Sequence, residues 1–140
     1  MRPPLVEPRT LEVGESIEFW VHAQIPWNDS RVDLVTGATY NFVVEGPQTW
    51  NDFSIVSSAD GYRSRPGQRI WENLRRMPAA NWFILIGTIG KSMDCPFIIG
   101  SRLLHFTAAI PGRLYCFAND LRFMYWNNSG SIKAIVSRID

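Results

Sequence analysis

Asp120, Asn127 and Asn128 are the side chains whose types and spacing most suggest chemistry. They lie in the stretch NDLRFMYWNNSGS, Asn119 to Ser131, where one carboxylate and two adjacent amides bracket a bulky aromatic run. Calcium takes roughly six to eight oxygens from carboxylates, amide and backbone carbonyls, water or ligand. Asp120 could offer both carboxylate oxygens and each asparagine one carbonyl oxygen, with backbone carbonyls adding to the protein's share. A site with a single carboxylate would stay positively charged and short of donors, a state suited to accepting hydroxyl oxygens from a ligand. Asn-Asn-Ser-Gly is also ordinary turn chemistry. On spacing alone both readings stand, and the turn is the simpler.

Other chemistries find little support. No GxSxG elbow and no HExxH helix occurs. His22 and His105 sit in separate strand-like runs, and each reads as structural. The segment Gly87-Thr88-Ile89-Gly90-Lys91-Ser92 lacks the spacing of a phosphate loop and reads as a hairpin turn. Cys95 and Cys116 make no zinc spacing with His105 and read as two buried thiols. Arg63, Arg65, Arg69, Arg75 and Arg76 cluster in one short segment, but Arg75 and Arg76 follow Glu72 at i+3 and i+4, the pairing of a solvated helix face. With a net charge of +1, nucleic acid is not an expected partner. Glycoside hydrolysis needs two carboxylates across a cleft, and Asp120 is the one acid in the candidate site. No enzymatic activity is expected.

The elements that must position these groups are short and alternating. Ile17, Phe19, Val21 and Ala23 point one way and Ser16, Glu18 and His22 the other; Tyr40, Phe42 and Val44 repeat the pattern. Further runs follow at Trp82–Ile86, Arg102–Thr107, Arg113–Ala118 and Ser131–Ile139, separated by turn signals such as Thr36-Gly37, Asp60-Gly61 and Pro111-Gly112. Short strands at this spacing predict an all-β sandwich or barrel. Ile70, Leu74 and Met77 recur at helical spacing and predict one short amphipathic helix within Gln68–Met77. The chain has 140 residues, 46% of them hydrophobic and 19% charged, enough for one domain with a real core. Residues 1–15, rich in proline at the start, are expected to form an extended arm ahead of a domain spanning 16–140. No apolar run is long enough to cross a membrane, and no signal peptide is evident at MRPPLVEP. A soluble protein is expected, with its compartment open.

Several ordered landmarks resemble the PA-I galactophilic lectin family, calcium-dependent galactose-binding β-sandwich proteins from bacteria. They run from about Val21 to Ile139: Trp27-Asn28-Asp29-Ser30, then Tyr40 to Gly46 with Trp50, Ile84–Gly87, Phe97–Gly100 and Gly112–Tyr115. Asn119-Asp120 followed by Asn127-Asn128-Ser129-Gly130-Ser131 is the most specific match.

The resemblance implies a galactose-binding-domain-like β-sandwich of jelly-roll type and a Ca2+ site. By position, Asp120 offers its carboxylate, Asn127 and Asn128 their side-chain carbonyls, and Trp50 and Met124 their backbone carbonyls. Gln68 and Arg65 fall in the sugar-contacting loop, with Arg65 where the family has a histidine, and Asp120 and Asn127 also meet the sugar. Leu121 to Trp126 replace the family's small residues without changing the loop length. The implied function is a carbohydrate-binding lectin for galactose or a related terminal sugar, with glycans as partners and a homo-oligomer possible. The alternative is a non-catalytic β-sandwich interaction or accessory domain that has lost sugar binding.

Overall fold

The computed structural model describes residues 7–140, and the first part of the expected N-terminal arm, residues 1–6, lies outside them. Twelve strands follow in chain order: β1 (Ser16–His22), β2 (Asn28–Leu34), β3 (Thr39–Val43), β4 (Trp50–Asp52), β5 (Ile55–Ser57), β6 (Asp60–Tyr62), β7 (Trp82–Ile89), β8 (Phe97–Ile98), β9 (Arg102–Thr107), β10 (Gly112–Ala118), β11 (Asn128–Ser129) and β12 (Ser131–Arg138). One sheet has the order β1-β12-β3-β9. A second runs β2-β10-β7-β6 with β8 paired to β7, and β11-β4-β5 form a small third sheet. The chain is an all-β sandwich.

Alternation builds its core. Phe19 and Val21 of β1, Tyr40 and Phe42 of β3, and Ile132, Ala134 and Val136 of β12 meet Val32 and Leu34 of β2, Phe83 and Leu85 of β7, and Leu114 and Cys116 of β10 in one buried cluster. Residues from both large sheets share this cluster, so the two sheets pack face to face. Within residues 7–15 the chain passes from β2 to the end of β12: the Arg9 amide donates to the Arg31 carbonyl at 3.0 Å and the Gly14 amide to the Arg138 carbonyl at 2.7 Å, and Leu11 between them is fully buried in the same core.

Three expectations are corrected. Arg69–Leu74 is a 3-10 turn with no buried residue, not an amphipathic helix. Ile70 is 79% exposed and Leu74 52%, because the turn ends at Arg75 in extended backbone before its apolar side can reach the core. Cys95 is exposed, in the loop before β8, and only Cys116 is buried; both are free thiols. Gly87 to Ile89 belong to β7, and the chain turns only at Gly90, whose φ of 78° is the left-handed conformation glycine tolerates.

Candidate functional site

The register of the small sheet assembles the site. β11 pairs antiparallel with β4, so Asn128 stands opposite Asp52 and Ser129 opposite Asn51. Gly130 then passes so close to Trp50 that a Cβ there would lie 3.1 Å from the Trp50 Cα. Its φ of 86° and this approach both call for glycine. The turn expected at Ser129-Gly130 is corrected: the chain passes through Gly130 from β11 directly into β12, and this close approach holds Asn128 against β4.

Asp120 enters from the end of β10. Asn119, fully buried, fixes this point: its side chain bonds the backbone of Met77, Ala80 and Asn81 at 2.9–3.1 Å, while the Arg76 amide donates to the Asp120 carbonyl at 3.0 Å. The Asp120 carboxylate is buried. One oxygen accepts the Leu121 amide at 2.7 Å, and the other accepts the Asn128 side-chain amide at 3.0 Å. No lysine, arginine or histidine pairs with it among the described residues. Burial, with a further push from the charge of Asp52, raises its pKa to about 6 against the two hydrogen bonds it accepts.

Asn128 spends its amide hydrogens on Asp120 and on the Ala23 carbonyl, 3.0 Å away. Its carbonyl oxygen is buried without a partner, and so is that of Asn127. Such orphans are rare and costly in folded proteins. The Asn128 carbonyl, next to the amide that bonds Asp120, and the buried carboxylate itself are oxygens of the kind a hard cation takes, whereas Asn127 neither lines the cleft nor bonds Asp120. Among the described residues no cluster of three His, Cys, Asp or Glu side chains occurs, so a cation here would depend on amide and backbone oxygens.

In front of Asp120 lies a cleft of 340 Å³. Asp52, Gln68 and Asp120 supply its polar groups, and Trp71, Trp82, Leu121, Phe123 and Met124 its apolar wall. The structure therefore brings Asp120, Gln68 and Met124 onto one cavity and ties Asn128 to it through Asp120. Trp50 is buried behind, its indole N–H bonded to the Ser58 carbonyl at 3.2 Å. Arg65 does not line the cleft: its guanidinium stands 5.7 Å from the Tyr62 ring centroid, and only its backbone amide reaches Gln68 Oε1, at 2.7 Å.

Sequence reasoning missed Asp52 and Tyr62, and the expectation that Asp120 is the one acid in the site is corrected, since Asp52 lines the same cleft. The Tyr62 hydroxyl donates to Asp52 at 2.5 Å and accepts from Gln68 Nε2 at 2.9 Å, so Gln68 is held at both ends before any ligand arrives. Desolvation raises the pKa of Asp52, and Tyr62 partly offsets it. A signal existed, since Asp52 lies two residues beyond Trp50 on the same strand face, but the pairing with Asn128 was not readable. Phe53, next in the chain, is 73% exposed at φ 55°, a conformation that a bulky residue rarely adopts.

No family model matches the chain, and no curated protein does. Among solved structures, the EclA N-terminal domain, a PllA-like lectin, is similar with a TM-score of 0.63, covering 86% of this chain and 94% of that one at 17% identity. At that identity the likeness is one of fold: the chain shares the β-sandwich architecture of a lectin domain.

Proposed function

We propose that this chain is a calcium-dependent carbohydrate-binding protein without catalytic activity, directed to galactose or a related terminal sugar. The observation that carries the reading is the Asp120 carboxylate, buried without a cationic partner and bonded to Asn128, whose own carbonyl oxygen is orphaned, as is that of Asn127 next in the chain. With the backbone carbonyls of Trp50 and Met124, these groups would hold Ca2+. The bound ion would draw in vicinal sugar hydroxyls. Asp120 and Asn127 would accept hydrogen bonds from those hydroxyls. Gln68, pinned by Tyr62 and the Arg65 amide, would orient the remainder of the ring. Trp71 and Phe123 offer the apolar faces that a pyranose ring can cover. The likeness to a PllA-like lectin supports this reading at the level of fold. A shallow single site binds weakly, so useful avidity would come from several copies acting together.

The test is a calcium titration followed by a glycan array in calcium and in chelator. Saturable calcium binding and chelator-sensitive retention of galactosides are expected. Equal glycan binding in both conditions, or none to any glycan, would sink the proposal. The accessory-domain reading draws on Phe53, Phe123 and Trp126, which are 73%, 60% and 70% exposed. A folded protein that binds neither calcium nor glycan would favour it.

A further inference from the structure

The run between Asp120 and Asn127 serves two cavities. Leu121, Phe123 and Met124 line the cleft, whereas Arg122 and Tyr125 line a separate pocket of 330 Å³. Three cations converge on that second pocket, Arg76, Lys91 and Arg122, against a wall of Trp27, Met93 and Tyr125. Among the described residues none of the three cations pairs with a carboxylate.

Arg76 is the fixed element. It is only 8% exposed, with its guanidinium carbon 3.4 Å from the Phe117 ring centroid and 4.3 Å from that of Trp27. Nη1 donates to the Pro26 carbonyl at 2.5 Å and to the Tyr125 hydroxyl at 3.0 Å, and Tyr125 in turn donates to the Ala118 carbonyl at 2.6 Å. Nε and Nη2 have no acceptor among the described residues, nor are they sealed from solvent, and Arg76 lines the pocket. Aromatic faces offset part of the cost of burying this charge. They leave a rigid, half-used donor fork, the geometry that grips a planar or tetrahedral oxyanion at two points. Lys91 and Arg122 are exposed at the rim and add positive potential without competing for the same acceptors. The volume falls near the lower end of small-ligand pockets, about 300 Å³. That matches a single ring bearing one charged group better than an extended chain.

We infer that this pocket is a second binding site, separate from the cleft, for a phosphate or sulfate ester carried on a sugar-sized ring. Arg76 grips the oxyanion through Nε and Nη2, Lys91 and Arg122 neutralise its remaining charge, and Trp27 and Met93 flank the ring. The site stands on its own residues and does not require the calcium-lectin reading.

Calorimetric titration in calcium-free buffer tests it, with galactose 6-phosphate, galactose 6-sulfate, inorganic phosphate, inorganic sulfate and uncharged galactose as probes. The wild-type protein is expected to bind at least one ester saturably and more tightly than the matching inorganic ion, with no response to galactose. The two esters distinguish phosphate from sulfate. Lys91→Ala with Arg122→Ala, both at exposed positions, should weaken binding at least about tenfold and flatten its salt dependence. Arg76→Lys keeps the charge but loses the fork and should weaken binding by a similar factor. Asp120→Asn should leave it unchanged. The inference fails if no ester binds, if the ring adds nothing to the inorganic ion, or if the folded double variant binds like wild type. Markedly tighter ester binding in Asp120→Asn would also overturn it, because removing a carboxylate from the cleft helps only an anion seated there.

Discussion

Asn128 donates its side-chain amide to Asp120 across 3.0 Å, and this bond commits its carbonyl oxygen to a buried position with no partner. The same bond holds the carboxylate in place without neutralising it. Asp120→Asn should therefore abolish calcium binding while costing the metal-free fold less than about 1 kcal/mol, because it removes an uncompensated buried charge. Calcium titration and urea denaturation of the metal-free variant check both parts. A large loss of stability with calcium binding retained would make Asp120 structural.

Asn127→Ala deletes an orphaned acceptor and no hydrogen bond of the described protein. Metal-free stability is expected to stay within about 0.5 kcal/mol of wild type. The calcium-induced rise in Tm should shrink, since stabilisation follows the logarithm of ligand concentration over Kd. Thermal scans across a calcium series measure both.

The pH dependence has a definite sign. Burial lifts the Asp120 pKa from 3.8 in the unfolded chain to about 6 in the fold. Between those values the folded state holds more protons, so the metal-free protein loses stability as pH rises from roughly 4 to 6. The loss is at most about 3 kcal/mol, at 1.36 kcal/mol for each pKa unit. Calcium binding needs the ionised carboxylate and should strengthen over the same range. Denaturation at a series of pH values, with and without calcium, should show slopes of opposite sign.

Backbone conformation at the rim predicts opposite effects at two positions. Gly130→Ala places a Cβ 3.1 Å from the Trp50 Cα at φ 86° and should destabilise by about 1–3 kcal/mol. Phe53→Gly relieves a φ of 55° and should stabilise by about 1 kcal/mol. Urea midpoints decide both. Phe53→Gly without any gain would mean that the exposed ring is held by contacts worth as much as the strain.

Tyr62→Phe removes the hydroxyl that joins Asp52 to Gln68. Calcium affinity should stay near wild type, while glycan affinity falls several-fold because Gln68 loses one anchor and its rotamer freedom returns. Matched calcium and galactoside titrations separate the two effects.

The sequence by itself determined an all-β fold, and the face-to-face packing that makes it a sandwich was decided by the tertiary structure. Alternation in β1, β3 and β12 needs only period two and a buried face, and turn residues mark where strands end. It also determined which oxygen donors the Asp120–Asn128 stretch can offer, because type and spacing are local. Only the tertiary structure decided what surrounds them. Pairing of β11 with β4 brings Asp52 beside Asn128 across more than seventy residues of chain, and no local pattern encodes that register. The same holds for Arg76, which sits at helical spacing in an arginine-rich segment yet is buried between Trp27, in the bend before β2, and Phe117 of β10. Helical periodicity at Ile70 and Leu74 misled for a related reason. Six residues form too short a turn to carry an apolar face to the core, and packing, not propensity, decides such segments.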